Sequence, residues 1–151
     1  MLTDLDELYQ QVILDHGRRP RNFRAIEGAG ASAEGFNPLC GDRVTVALTR
    51  DEGRIADAAF TGKGCAICTA SASMMTQAVK GKSLDEARAI FDNFHHMLTD
   101  SSFTDERVES LGKLAVFAGV RKYPVRVKCA SLPWHTMMAA IENKGEPVST
   151  E

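Results

Sequence analysis

The chain has 151 residues, enough for one domain with a substantial core. Hydrophobic residues make up 44% and charged residues 25%, and the formal net charge is -2, so the composition offers no basic footprint for nucleic acid. The longest apolar run, Leu114 to Val120, is far too short to span a bilayer, and the acidic start Met1-Leu2-Thr3-Asp4 has no signal-peptide pattern. A cytoplasmic protein that meets neither membrane nor nucleic acid is expected.

In chain order, Thr3 to His16 predicts an amphipathic helix. Leu5, Leu8, Tyr9, Val12 and Ile13 mark one stripe, Thr3 can cap it, and Gly17 can end it. Arg18-Arg19-Pro20-Arg21-Asn22 is a basic, irregular exit, either a solvated turn or a docking patch for an acidic partner. Glu27 to Glu34 is small and Gly-rich, a loop or a weak edge strand, and Asn37-Pro38-Leu39-Cys40-Gly41-Asp42 is a turn by composition. Arg43 to Thr49 alternates, Asp51-Glu52-Gly53 turns the chain, and Arg54 to Thr61 returns, which predicts a hairpin.

Gly62-Lys63-Gly64-Cys65 then turns sharply into an Ala- and Met-rich helix that runs to Lys80 and is closed by Gly81. Ser83-Leu84-Asp85-Glu86 has the capping-box spacing and starts a helix to about Leu98. His95 and His96 near its end face different directions and read as a solvated pair. Thr104 to Phe117 predicts a further helix, and Gly119 to Pro124 a break. A last helix is expected from about Cys129 to Glu142. Pro133 suits only its first turn, which places Cys129 beside a helix start and leaves His135 pointing elsewhere. Residues 1–144 form one domain in this reading, and 145–151 a disordered tail.

Four cysteines in a reducing compartment favour metal binding or catalysis over a disulfide framework. No paired C-x-x-C knuckles occur, so any shared site must be assembled from distant segments. The predicted hairpin does part of this, because Cys40 precedes its first strand and Cys65 follows its second. At a helix start, free N–H groups and the macrodipole favour a Cys65 thiolate. Cys40, Cys65 and Cys129, with Asp42 two residues beyond Cys40 across a glycine, satisfy a tetrahedral zinc ion. Arg43, Lys63, Arg126 and Lys128 lie close in sequence and offset the negative charge. The aspartate is a hard oxygen donor that ligand exchange displaces, which suits a site meant to open. Cys68, three residues after Cys65, reads as a small buried side chain, with a reserve thiolate for the site as the alternative.

Three segments together carry a resemblance: Asn37-Pro38-Leu39-Cys40-Gly41-Asp42, Gly62-Lys63-Gly64-Cys65-Ala66-Ile67 and Val127-Lys128-Cys129-Ala130-Ser131-Leu132-Pro133-Trp134. They resemble the motifs of the IscU/NifU-type iron–sulfur assembly proteins, over residues from about 5 to 142. Within that family the chain is similar to the SufU branch. It has a long insertion from about Phe91 to Lys122, and Lys128 stands where IscU-type scaffolds have a histidine. Tyr123-Pro124-Val125-Arg126-Val127-Lys128 replaces their Leu-Pro-Pro-Val-Lys chaperone-binding motif.

The resemblance implies an α+β fold, a small antiparallel three-stranded sheet packed against about five helices in a single domain. It implies zinc on Cys40, Asp42, Cys65 and Cys129, with Asp42 tuning ligand exchange. It further implies a zinc-dependent sulfurtransferase in which Cys40 accepts persulfide sulfur from a pyridoxal-phosphate cysteine desulfurase of the SufS type. The sulfur then passes to a downstream iron–sulfur scaffold complex. Arg126 matches an arginine that the branch places near the metal, whereas Cys68 falls where relatives commonly have serine. Three rival readings stay open. One is a scaffold that holds iron or an iron–sulfur cluster on the same ligands, and another a binding module with structural zinc. The third is a thiol oxidoreductase built on Cys65-Ala66-Ile67-Cys68, although the thioredoxin-like βαβ beginning is missing.

Overall fold

Alternation of apolar and polar residues builds the sheet first. The computed structural model describes residues 4–38, 41–100, 102–142, 148 and 149. Strands β1 (Ala31–Asn37), β2 (Asp42–Asp51) and β3 (Arg54–Lys63) form an antiparallel meander. Val44, Val46 and Leu48 of β2 and Ile55, Ala58 and Phe60 of β3 are buried in the core. Val148–Ser149, a two-residue β4, pairs parallel to β1, so the sheet order is β3-β2-β1-β4. These two residues fall in the segment expected as a disordered tail; residues 143–147, 150 and 151 lie outside the described set.

Two details of register shape the end of the sheet. Asn37 faces Asp42 across β1 and β2, and Arg43 faces Lys63 across β2 and β3. Gly62, at φ 143°, sits where a Cβ would run into the backbone carbonyl of Arg43, so only glycine lets β3 approach β2 this closely before the chain leaves the sheet. β1 is shifted along the chain from the Glu27 to Glu34 segment read as a loop or weak edge strand, and it takes in Asn37, which reads as a turn residue.

Helices cover the sheet. Those of α type are α1 (Asp4–Arg18), α2 (Ala66–Val79), α3 (Leu84–Thr99), α4 (Asp105–Ser110) and α5 (Pro124–Glu142). A 3-10 segment spans Gly112–Lys122. The architecture is therefore the expected three-stranded antiparallel sheet against about five helices, with the 3-10 segment as a sixth helical piece. α5 packs on β1 and β2, α2 packs on β3 and α5, and α1 lies against α2.

Several helix ends differ from the sequence reading, each for a local reason. α1 runs through Gly17 instead of ending there, because Gly17 lies against Ala66 and its bare Cα allows that approach. Thr3 lies outside the described residues, and Leu8 is exposed rather than part of the buried stripe. Ser83 does form the capping box with Glu86. The helix expected over Thr104 to Phe117 is capped by Thr104 but breaks after Leu111, where Gly112 turns at φ 61°, and continues as 3-10 backbone through the expected break at Gly119.

The last helix carries the main correction. Pro124 occupies its first position, where a missing N–H costs nothing, so α5 begins five residues before Cys129. Cys129 thus lies in the second turn, not at a helix start. Pro133 sits inside the helix, where it withholds the amide hydrogen that would otherwise reach the Cys129 carbonyl. Packing compensates. Trp134 is fully buried, its ring stacks on Phe94 at 4.7 Å between centroids, and its indole N–H donates to Ser71 Oγ at 3.1 Å. Ser71 Oγ in turn donates to the Ala130 carbonyl. This tie between α2 and α5 fixes the spacing of the two helices that carry Cys65 and Cys129.

Candidate metal centre

The hairpin, the glycine turn and the α2–α5 tie bring three of the expected ligands together. Among the described residues, Asp42, Cys65 and Cys129 place their donor atoms within 4.8 Å of one another. Asp42 opens β2, Cys65 is the N-cap residue of α2, and Cys129 lies in α5. Asp42 and Cys129 are buried while Cys65 is half-buried, so the cluster is open from the Cys65 side. Cys40, the fourth expected ligand, lies outside the described residues. On its two sides among the described residues, the Gly41 N–H donates to the Asn37 carbonyl at 2.8 Å.

Hydrogen bonds hold the cluster in place. The Cys65 backbone N–H donates to Asp42 Oδ1 at 2.8 Å, and Cys65 Sγ lies 3.7 Å from Asp42 Oδ2. One carboxylate therefore meets both the free amide of a helix start and the sulfur beside it. Cys65 Sγ itself accepts the Cys68 N–H at 3.4 Å. The hydrogen bond to Cys129 pulls the Cys65 thiol down to about 6; burial and the Asp42 charge oppose this, and the amides of Cys68 and Ile67 assist it.

Arg126 is close by, in the first turn of α5. Its exposed guanidinium holds its proton more firmly than usual, first through the charge of Cys65 and then through a hydrogen bond to Cys129. Arg126 therefore lies within reach of both sulfurs.

Asn37 was not singled out in the sequence, yet it is fully buried and its Nδ2 lies 4.0 Å from Cys129 Sγ. Its position before Pro38 reads as turn chemistry; the signal that it belongs to the site is its register opposite Asp42. His95 also departs from expectation. It is half-buried, stacked on Phe91 at 5.7 Å and edge-on to His135 at 5.3 Å, because α3 packs on α5 there. His135 belongs to this aromatic cluster and not to the metal centre. Arg21 of the basic exit is paired with Asp15 at 2.7 Å, and Asn22 Nδ2 bonds Thr76 Oγ1 at 2.9 Å, so part of that exit serves to anchor α1.

The family model for the NifU-like N-terminal domain matches residues 8–130. The chain belongs to this family. A scaffold protein for iron–sulfur cluster assembly, IscU of Streptococcus pyogenes serotype M1, is 41% identical over 141 residues, 93% of this chain and 87% of the relative. SufU of Bacillus subtilis, named a zinc-dependent sulfurtransferase, is 40% identical over 135 residues, 89% of this chain and 90% of the relative. Among solved structures, a candidate iron–sulfur assembly scaffold of the SUF system from Fervidobacterium islandicum superposes with a TM-score of 0.81 at 36% identity. That match covers 89% of this chain and 97% of the other. The three-stranded NifU-like fold is thus shared with its relatives. No helix among the described residues is long and apolar enough to cross a membrane.

Proposed function

We propose that this NifU-like domain is a zinc-dependent sulfurtransferase of iron–sulfur cluster assembly. Cys40 is its sulfur acceptor, and Cys40, Asp42, Cys65 and Cys129 hold the metal. The observation that supports this best is the convergence of Asp42, Cys65 and Cys129 from three distant segments. Two sulfurs and a carboxylate, largely buried and with a cation at the rim, are a donor set that fits zinc. Zinc, when bound, keeps its thiolates deprotonated and tolerates exchange of one ligand for another.

The chain's own residues divide the remaining work. By composition Cys40 falls in a turn segment between Pro38 and Gly41, whereas Cys65 and Cys129 are held by a helix start and a helix interior. The acceptor is the ligand on the turn. Its thiolate attacks the outer sulfur of a persulfide on a pyridoxal-phosphate cysteine desulfurase of the SufS type. The donor's S–S bond breaks, its cysteine leaves as a thiolate, and the new persulfide on Cys40 passes its sulfur to a downstream scaffold complex. Asp42 holds Cys65 in place through the 2.8 Å bond to its amide and, as the hard ligand, tunes exchange. Arg126 offsets thiolate charge at the cluster, and the exposed Tyr123 and Val125 just before it in the chain offer the desulfurase apolar surface.

A second reading, a scaffold that holds iron or an iron–sulfur cluster on the same ligands, is favoured by the name of the Streptococcus relative. Lys128 immediately before Cys129 supports the first reading instead, since a lysine side chain is a far poorer metal ligand than the imidazole that IscU-type scaffolds have there. Metal analysis of the chain purified without added iron separates them. One zinc per chain, with a melting temperature lowered by chelator, is expected; stoichiometric iron with acid-labile sulfide would favour the scaffold.

A further inference from the structure

Cys68 takes no part in the reading above, yet its surroundings are not those of an ordinary core thiol. Cys65 is the N-cap of α2, in extended backbone at φ −65° and ψ 167°, and Cys68 is the third residue of the helix. Only Ala66 and Ile67 separate them, and the Cys65 sulfur already lies over the Cys68 amide, 3.4 Å from its nitrogen. Cys65 is half-buried while Cys68 is 3% exposed.

Gly64 supplies the second observation. A Cβ built there would stand 3.2 Å from Asp42 Oδ1 and also 3.2 Å from Cys68 Sγ. The Cys68 sulfur therefore borders the same small space as a proposed metal ligand, and the glycine leaves that space open. Cys68 is buried as a serine-like core residue would be, but its sulfur lies on the side of the site.

We propose that Cys65 and Cys68 are a dithiol–disulfide couple that closes when Cys65 is not held by metal, and so removes Cys65 from the ligand set. The oxidant is a low-molecular-weight disulfide. The Cys65 thiolate attacks one of its sulfurs, the S–S bond breaks, and one thiolate leaves. Cys68, having lost its proton to water, then attacks Cys65 Sγ in the mixed disulfide and expels the second thiolate. Two protein thiols are oxidised and one external disulfide is reduced to two thiols.

The span is short. Residues three apart in a helical turn have Cβ atoms about 5–6 Å apart, and a disulfide needs about 3.5–4.5 Å. Because an N-cap residue stands outside the helix proper, a small contraction of the first turn closes the gap. Cys129 is the rival partner, since its sulfur also lies within 4.8 Å of the other ligand atoms. It is fully buried on a separate helix tied down through Trp134 and Ser71, so a bond to it would lock two helices together across the core. A Cys65–Cys68 bond stays inside one turn.

This inference goes beyond the sulfur-transfer reading and rests on it only for the ligand role of Cys65. The test exposes the full chain, zinc-loaded or stripped by chelator, to oxidised glutathione, followed by peptide mass mapping without reduction. The stripped chain should yield the peptide Gly64–Lys80 lighter by two hydrogens. It should take up zinc at least tenfold more weakly until dithiothreitol is added, and bound zinc should slow closure at least tenfold. Cys68→Ser should instead accumulate a glutathione adduct on Cys65. A Cys65–Cys129 or Cys40–Cys65 link, scrambled linkages, or unreacted thiols in the stripped chain would overturn the couple. Closure that zinc fails to slow would overturn the competition with metal and, with it, the ligand role of Cys65. No desulfurase enters the assay, so sulfur transfer stands or falls separately.

Discussion

Ser71→Ala should loosen the joint that sets the distance between Cys65 and Cys129. Ser71 and Trp134 are both fully buried, and the Ser71 hydroxyl is acceptor to the indole N–H at 3.1 Å and donor to the Ala130 carbonyl. Deleting the hydroxyl leaves the indole N–H without an acceptor in a dry interior, which costs about 1–3 kcal/mol. For a domain of this size, each kcal/mol lowers the melting temperature by roughly 2–4 °C. Trp134→Phe removes the donor instead and leaves a partial void beside Phe94. In that background Ser71→Ala no longer orphans the indole N–H, so its cost should fall below about 1 kcal/mol, a coupling well above the additive expectation. Urea denaturation of the two single variants and the double, with and without zinc, measures it. Zinc should also leave Ser71→Ala faster than wild type, because α2 and α5 each carry a proposed ligand. Additive losses with unchanged zinc release would refute the idea that this contact sets the site.

Gly35→Ala should destabilise by about 1–3 kcal/mol, because the new methyl group meets Thr136 Oγ1 and lies 3.1 Å from Leu132 Cδ1 where α5 crosses β1. Adding Thr136→Ala should recover part of that loss in melting curves; no recovery would place the strain elsewhere. Burial is the first cause holding His16, His95 and His135 below the usual histidine value of 6.5, so the unfolded chain binds more protons below that pH. Stability should fall as the pH drops from about 6.5 toward 5, and fall less steeply in His135→Phe; urea midpoints that rose toward acid would contradict this. Arg126→Ala should leave the melting temperature unchanged but slow alkylation of metal-free Cys65 severalfold at pH 7, since an exposed guanidinium acts on the sulfurs by charge and not by packing. An unchanged alkylation rate would remove Arg126 from the site.

Much of the centre was legible because local chemistry and topology agreed. Alternation in β2 and β3 specified a hairpin, and Gly62 and Gly64 specified where the chain leaves it, so Asp42 and the helix start at Cys65 were fixed together. Cys129 reads as lying beside a helix start, because Pro133 suits only a first turn, whereas it sits in the second turn of α5. The tertiary tie through Trp134 and Ser71 holds a helix that proline alone would end. Asn37 was missed since Asn-Pro composition speaks of turns, while its burial depends on pairing with β2. The His95–His135 contact joins residues from α3 and α5, and neither periodicity nor a motif connects them.

The central claim is that Cys40 accepts sulfur at a zinc centre completed by Asp42, Cys65 and Cys129. The most direct measurement incubates the zinc-loaded full chain with a SufS-type cysteine desulfurase and cysteine, then traps persulfides with an alkylating agent and maps them by mass spectrometry. One extra sulfur atom on Cys40 is expected, with no persulfide on Cys40→Ala and no stimulation of the desulfurase by that variant. Sulfur on Cys65 or Cys129, or a Cys40→Ala chain that still stimulates the desulfurase fully, would contradict the claim.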